Sequence, residues 1–265
     1  MRRLQLFEFS DEPWFPAVLR QGGTAYLAVV YRLASVLRQR WAERISTALR
    51  DDELCEVVDL CSGSGGPMPL IVEELVKRGY NVRATLTDLY PHPEAASNPR
   101  IRWSAEPVDA TRVPSNLVGV RTMFSAFHHF RPASAKAILK DAFDRREAIC
   151  IFESGSGGLL NLGMALGHPI VVFALMPFVR PFRWSYLVFT YLIPLIPLSM
   201  LWDVIASFLR IYSPEQMATM TEDLRAPDYS WEIGRIPIRG IPGGLPYLIG
   251  RPSVAASRPS KSAAQ

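Results

Sequence analysis

Short apolar segments alternate with segments of helical periodicity from about residue 55 to residue 152. Five of the apolar segments are typical of buried strands: 56–60, 82–87, 101–104, 118–126 and 148–152. Strands that alternate with helices favour a mostly parallel sheet with helices on both faces, because each parallel connection needs a crossover. Segments 229–238 and 246–249 flank a Gly/Pro-rich turn and predict a terminal hairpin. The pattern therefore predicts an α/β fold.

Acidic residues stand where these predicted strands end. Asp59, Asp88 and Glu153 end the first, second and fifth strands, and Asp109 follows the third. Ligands of open parallel sheets bind outside the carboxyl ends of the strands, where the strand order reverses. We therefore expect the four carboxylates to line one ligand cleft.

The turn after the first strand, residues 61–66, is rich in glycine. Gly63 and Gly65 carry no Cβ, so the backbone there can approach a ligand closely. The dinucleotide fingerprint fails, since it needs a third glycine where Met68 stands, and no phosphate-binding loop ending in Gly-Lys-Ser/Thr occurs. A P-loop nucleotidase is excluded, and a nucleotide-dependent oxidoreductase is left as a remote alternative.

The sequence Asp59-Leu-Cys61-Ser-Gly63-Ser-Gly65 resembles the first motif of class I S-adenosylmethionine-dependent methyltransferases, with Cys61 in place of the first glycine. The resemblance covers residues 50–160 and resumes in the terminal hairpin. Residues 122–130 contain Phe-His-His-Phe and resemble the fourth motif of small-molecule methyltransferases, including the quinone-biosynthesis group. The resemblance to class I methyltransferases implies a Rossmann-like seven-stranded methyltransferase sheet with helices on both faces. It also implies S-adenosylmethionine as cofactor and methyl transfer as the activity.

The same resemblance implies a set of cofactor-binding residues. They are Asp59, Cys61, Gly63, Gly65, Asp88, Asp109, Ala110 and Ser125. By this resemblance Asp59 contacts the methionine amino end, Gly63 lies beside the methionine moiety, and Asp109 with Ala110 lies on the adenine side. Asp88 matches the acid that binds the ribose, and a carboxylate suits two adjacent hydroxyls because it accepts two hydrogen bonds.

Candidate catalytic residues are His128 and Glu153, since an imidazole titrates near working pH and both follow predicted strands. Two interpretations of His128 remain open, a base or substrate contact and a histidine that only packs at the strand end. Methyl transfer needs in-line positioning above all, so a base is not required. Candidate substrate residues are Trp14, His129, Asp203, Arg210 and Tyr212. The three cysteines lack zinc-site spacing, and we predict no metal site.

Two uncharged apolar runs, 157–179 and 184–202, precede the hairpin, with Arg180 and Arg183 between them. Each run approaches the ~20 residues that span a bilayer, but prolines interrupt both. Three interpretations remain open: a two-pass hairpin, a monotopic hairpin that enters one leaflet, and a soluble cap over an apolar pocket. The monotopic form fits best, because the arginines would then lie at the headgroups. We therefore expect a hydrophobic small molecule or lipid as acceptor.

The helices that flank this core carry weaker signals. Thr24 is a candidate N-cap for a long amphipathic helix that follows Gly22 and Gly23. Asp203, Ser207 and Arg210 share one helical face, where an Asp–Arg pair would orient substrate or hold the cap closed. Ser213 is typical of the N-cap of the next helix.

The predicted organisation has five parts. They are an N-terminal helical extension (1–50), the cofactor-binding core (51–156), an apolar insertion (157–212), a helix and hairpin that complete the core (213–250) and a disordered tail (251–265). Arginine outnumbers lysine 25 to 4, which indicates GC-rich bacterial coding, and the mild net charge of +4 and the fourth motif disfavour nucleic acid. The sequence thus predicts a cytoplasmic enzyme, peripheral or monotopic on the inner face of the membrane. An inactive cofactor-binding sensor is the alternative, and acceptor identity and oligomeric state stay open.

Overall fold

A seven-stranded sheet forms the centre of the computed structural model, which describes residues 3–49, 54–91, 98–156, 163 and 165–253. Its strand order is β3-β2-β1-β4-β5-β7-β6. The strands are β1 (Cys55–Asp59), β2 (Val82–Leu86), β3 (Ile101–Trp103), β4 (Val120–Phe124), β5 (Ile149–Phe152), β6 (Tyr229–Ile238) and β7 (Ile241–Pro252).

Strands β1 to β5 are mutually parallel, whereas β7 runs antiparallel to both β5 and β6. The strand order reverses between β1 and β4, so the expected cleft lies at their carboxyl ends. The predicted seven-stranded α/β sheet with a terminal hairpin is confirmed. The tail, however, does not begin at residue 251, because Arg251 pairs with Ser230 inside the hairpin. Residues 254–265 lie outside the described part of the chain.

Helices cover both faces of the sheet and extend beyond it. They are α1 (Ala17–Leu33), α2 (Ser35–Ser46), α3 (Met68–Lys77), α4 (Pro132–Asp144), α5 (His168–Leu175), α6 (Trp184–Leu187), α7 (Leu195–Arg210) and α8 (Pro214–Thr221). Single 3-10 turns form at Phe9–Asp11, Phe127–His129 and Met176–Phe178, and a π-helix at Val188–Leu192. The predicted N-cap of α8 is confirmed, since Ser213 and Gln216 form a reciprocal capping box.

Alternate strand residues supply two separate cores, because successive side chains of a strand point to opposite faces. On one face, Val57 packs in a cluster with Trp41 of α2 and Ile71 of α3. On the other face, Val58 packs in a cluster with Ile138 of α4. All five side chains are almost fully buried, so helices on both sides hold the strand ends at the cleft in fixed positions.

The prediction of an N-cap at Thr24 is wrong. Helix α1 begins at Ala17, after Pro16, and continues through the glycine pair. A Cβ at Gly22 would lie 2.6 Å from the Ile196 side chain, and one at Gly23 would lie 2.7 Å from that of Met200. The two glycines therefore serve close packing of α1 against α7 rather than a turn.

The N-terminal extension and the apolar insertion pack together. A third apolar cluster joins α1 to the helices of the insertion and contains Phe15, Leu19, Tyr26, Val29, Val172, Met176, Val179, Tyr186, Ile196 and Met200. No single helix in the described ranges is long and apolar enough to cross a membrane. The bent pair Trp184–Leu192 and Leu195–Arg210, with 77° between its arms, qualifies by length and composition only.

Gly119, just before β4, offers a test of this architecture. Its φ of +138° lies in a region of backbone conformation that only glycine adopts readily, and a Cβ at this position would lie 2.3 Å from the carbonyl oxygen of Glu56. Gly119→Ala is expected to lower the free energy of unfolding by about 3 kcal/mol or more, through backbone strain and the clash. Urea unfolding measures the loss. The control Gly79→Ala has a positive φ but open space around the new Cβ, and should cost only about 1–2 kcal/mol.

Candidate functional site

The glycine-rich turn between β1 and α3 has left-handed backbone at several positions. Cys61, Gly63 and Gly65 have φ values of +56°, +53° and +97°. Cys61 therefore takes the left-handed conformation that glycine favours, and the substitution at the first motif position does not prevent the turn. The Gly63 N–H donates a 2.8 Å hydrogen bond to Asp88 Oδ2, so the turn is attached to the end of β2.

Asp59 is a buried acid at the carboxyl end of β1. Its carboxylate accepts hydrogen bonds from the hydroxyls of Ser62 and Thr122, each at 2.7 Å. Burial raises the pKa of Asp59 to about 7; the two hydroxyls counteract this effect and the nearby Asp88 charge adds to it. Asp59 is thus a carboxyl whose ionised form is stabilised poorly by the protein alone.

Asp88 is partly exposed and Asp109 is exposed, in contrast to Asp59. Asp88 accepts the N–H groups of Gly63 and Tyr90, and Asp109 accepts the N–H and the hydroxyl of Thr111. All three acids lie near the thiol of Cys61. Burial raises the pKa of this thiol, and the negative charges of Asp88, Asp59 and Asp109 raise it further. The structure therefore brings three of the four predicted acids together around the turn, with Ala110 buried beside Asp109, whereas Glu153 is buried against His128.

Ser125, at the end of β4, is joined by residues that the sequence did not identify. It has a φ of +49° and hydrogen-bonds the Ser154 hydroxyl at 2.7 Å. Tyr31 of α1 donates to Ser125 Oγ at 3.4 Å, and burial raises the pKa of Tyr31. Tyr31 belongs to a helix far from the motifs in sequence, and nothing in its local pattern signals contact with the cleft.

His128 and Glu153 form a buried pair at the ends of β4 and β5. His128 Nδ1 lies 2.7 Å from Glu153 Oε2, and the His128 backbone N–H donates to Glu153 Oε1 at 3.0 Å. On the opposite side of the ring, Nε2 lies 3.5 Å from Glu8 Oε1. Burial opposes the charged form of His128, but Glu153 and Glu8 outweigh it and raise the pKa to about 9. Their predicted catalytic roles stay predictions.

An N-terminal segment that the sequence analysis missed completes this region. Glu8 is buried, and Asp11 Oδ2 lies 2.9 Å from His129 Nδ1. Arg210 donates to Glu8 Oε1 at 3.1 Å and to Asp11 Oδ2 at 3.2 Å. These acids stand in an aromatic-rich stretch without a motif, so only their position in the fold identifies them.

The predicted Asp203–Arg210 pair is wrong, although the shared helical face is correct. Asp203 accepts the backbone N–H groups of Phe9 and Ser10, at 2.6 and 3.1 Å. Ser207 donates to Glu8 Oε1 at 2.9 Å. This face of α7 therefore binds the N-terminal segment, because each of its polar side chains has a partner there.

The remaining candidate substrate residues are separated. Tyr212 is buried and donates to the Phe130 carbonyl, with the Arg3 guanidinium 4.1 Å above its ring. Trp14 is 65% exposed and packs against Phe9. Of the five predicted substrate residues, the structure brings only His129 and Arg210 into the cluster around His128.

No family model matches the chain, and no curated protein matches it. Human N-acetylserotonin methyltransferase in complex with SAM aligns at a TM-score of 0.51 and 14% identity, over 95% of this chain and 63% of that chain. The plantazolicin methyltransferase BpumL in complex with SAH aligns at a TM-score of 0.47 and 10% identity, over 88% of this chain and 85% of that chain. Mitomycin 7-O-methyltransferase aligns at a TM-score of 0.43 and 12% identity, over 92% of this chain and 70% of that chain. The likeness to the human enzyme establishes the fold, a Rossmann-like methyltransferase sheet.

Asp59→Asn tests whether burial raises the pKa of the Asp59 carboxyl. Because the folded-state pKa is raised, the folded protein holds this proton more tightly than the unfolded chain, and stability falls as pH rises from about 4 to about 7. The amide that replaces the carboxyl does not ionise, so this pH dependence is lost. The free energy of unfolding of the variant should exceed that of the natural protein by about 2–4 kcal/mol at pH 8 and should equal it at pH 3. Urea unfolding at several pH values measures the difference. Asp109→Asn, at an exposed position, is the control and should show no such gain.

Proposed function

We propose that this protein is an S-adenosylmethionine-dependent methyltransferase that acts on a hydrophobic small molecule or lipid at the inner face of the cell membrane. The observation that carries the proposal is the turn at residues 61–66. It lies at the point where the strand order reverses, has left-handed backbone at Cys61, Gly63 and Gly65, and is held between Asp59 and Asp88.

The residues of the cleft suit the cofactor. A Cβ on Gly63 would meet no atom within 4 Å, so the turn faces open space. Each oxygen of Asp88 accepts one backbone N–H and keeps a lone pair, which suits two adjacent ribose hydroxyls. The sulfonium and ammonium charges of the cofactor would favour the ionised form of Asp59, which the protein alone stabilises poorly.

Asp59, Asp88 and the turn at Gly63 would hold S-adenosylmethionine, which would supply an electrophilic methyl group for an acceptor oxygen, nitrogen or carbon, with the electron pair of the broken carbon–sulfur bond left on sulfur and the acceptor proton released to water. The protein would supply position. Because the pKa of His128 is raised to about 9, its ring holds a proton at neutral pH and is a poor base. Alignment in the cleft is therefore the main contribution of the chain.

The surface of the insertion supports a hydrophobic acceptor and a membrane location. Twelve of the twenty-two exposed large apolar side chains in the described ranges lie between residues 166 and 198, among them Trp184 at 75% and Leu192 at 77% exposure. Exposed apolar patches of this density mark interaction sites. No acidic residue occurs between Glu153 and Asp203, whereas Arg180 and Arg183 are exposed within the patch. This charge suits an anionic lipid surface.

Methyl transfer is tested with radiolabelled S-adenosylmethionine and a bacterial lysate that is afterwards separated into lipid, protein, nucleic-acid and polar fractions. Asp88→Ala should weaken cofactor binding in calorimetry about 100-fold, because it removes charge-assisted hydrogen bonds, and should abolish labelling. Asp144→Ala, an exposed acid on α4, is the control and should leave both unchanged.

Label in the lipid fraction with the natural protein alone would support the whole proposal. Label in another fraction would keep the methyltransferase and remove the hydrophobic acceptor. Tight cofactor binding without label, after extracts from several growth conditions, would favour the inactive sensor. Cofactor affinity that Asp88→Ala leaves unchanged would contradict the site itself.

Membrane binding is tested by sedimentation with vesicles of phosphatidylglycerol or phosphatidylcholine. The natural protein should sediment with the anionic vesicles, and the double variant Trp184→Ser, Leu192→Ser should bind at least about ten-fold more weakly, because it loses apolar contact area. Val118→Ser removes an exposed apolar side chain outside the patch and is the matched control. Failure of the natural protein to sediment with either vesicle would support a soluble cap instead, and equal binding by the double variant would contradict membrane contact through Trp184 and Leu192.

A further inference from the structure

Three potential metal ligands from distant parts of the chain meet beside the cleft. They are Glu8 of the N-terminal segment and the neighbouring residues His128 and His129, whose ligand atoms all lie within 4.8 Å of one another. His128 is 4% exposed, and its Nε2 atom is buried without a hydrogen-bond partner. Its contact with Glu8 Oε1 is 3.5 Å long, which exceeds a charge-assisted hydrogen bond, so a closer partner for this buried nitrogen is favourable.

The other nitrogen of each ring is already held by a carboxylate. His128 Nδ1 lies 2.7 Å from Glu153 Oε2, and His129 Nδ1 lies 2.9 Å from Asp11 Oδ2. Histidines that bind metals typically donate this second nitrogen to a carboxylate, which fixes the ring and raises its basicity. Both imidazoles are therefore oriented with Nε2 toward Glu8.

The separations within the cluster fit a metal better than direct hydrogen bonds. Nε2 of His128 is 3.5 Å from Glu8 Oε1, and Nε2 of His129 is 3.7 Å from Glu8 Oε2. Hydrogen bonds of charged groups would be about 2.7–2.9 Å. Two ligands at about 2.0–2.1 Å from one tetrahedral ion stand about 3.3 Å apart, whereas the three ligand atoms lie within 4.8 Å of one another, so the side chains would move together by up to about 1.5 Å to close the site.

The net charge of the cluster also favours a bound cation. The carboxylates of Glu8, Asp11 and Glu153 contact the two imidazoles. Within the described part of the chain, Arg210 is the only Lys or Arg in ion-pair contact with them. Metal binding would release the ring protons, and the three carboxylates would then outnumber the charge of Arg210 by two, which one divalent ion balances.

We propose that Glu8, His128 and His129 bind one divalent transition-metal ion of the zinc class through Glu8 Oε2 and the two Nε2 atoms. Two imidazoles and one carboxylate form a donor set typical of zinc sites that keep the fourth position open. His129 and Asp11 are partly exposed, so water or an oxygen ligand reaches that position from solvent. The site does not depend on the proposed methyl transfer, since it is assembled without any cofactor residue.

The test is titration of the purified, metal-stripped full-length protein with Co²⁺, followed by visible absorption, and with Zn²⁺, followed by calorimetry. We expect one ion per chain and the absorption bands of a four- or five-coordinate cobalt site. His129→Ala and Glu8→Gln should each weaken Zn²⁺ binding at least about 100-fold, and Asp11→Asn about 10-fold or more, because it only orients His129. Circular dichroism verifies that each variant is folded.

Two controls match the variants. Glu12→Gln removes an acid of the same segment outside the cluster, and His168→Gln removes a histidine whose buried Nε2 also has no hydrogen-bond partner. Both should bind Zn²⁺ as the natural protein does. His129 is only partly buried, so His129→Ala keeps the test valid if Glu8→Gln fails to fold.

Absence of saturable binding of either ion would overturn the proposal and leave protons as the occupants of the two Nε2 atoms. Binding that survives both His129→Ala and Glu8→Gln would overturn it as well, because the ion would then occupy another site. Cofactor affinity, measured on the same samples, separates this outcome from a failure of the proposed methyltransferase function, which depends on Asp88 and not on this cluster.

Discussion

The buried carboxylate of Asp59 ties together the parts of the cleft. It ends β1, and its two oxygens accept the hydroxyls of Ser62 in the glycine-rich turn and Thr122 in β4. One side chain thus connects the glycine-rich loop to the two strands between which the sheet order reverses. The raised pKa of Asp59 shows the cost of this arrangement, since no cation from the described part of the chain contributes to the pKa of this buried acid.

A second polar centre depends on a contact between the chain's beginning and its apolar insertion. The N-terminal segment lies across α7, where Asp203 accepts two of its N–H groups and Arg210 pairs with Glu8 and Asp11. This contact brings Glu8 to His128 and His129. The insertion therefore has two roles in the fold, since it exposes an apolar surface on one side and completes a polar cluster on the other.

Sequence reasoning predicted most of the sheet and the grouping of Asp59, Asp88 and Asp109 around the glycine-rich turn. Strand–helix alternation and the spacing of Asp59, Gly63 and Asp88 are local signals, and parallel pairing places strand ends at one edge whatever the loops do. It failed at Thr24, because the pair Gly22 and Gly23 signals a turn locally but serves contact with α7. It also failed for the Asp203–Arg210 pair, because helical periodicity gives a shared face and not the partners of that face.

By itself the sequence determined the α/β class, the strand that ends in Asp59 and the turn at residues 61–66. These follow from backbone conformation and hydrophobic period, which neighbouring residues decide. Only the tertiary structure decided that Glu8 meets His128 and that Tyr31 reaches Ser125, since about one hundred residues separate the partners. Such contacts depend on how whole elements pack, and no local pattern records which side chains then share a buried space.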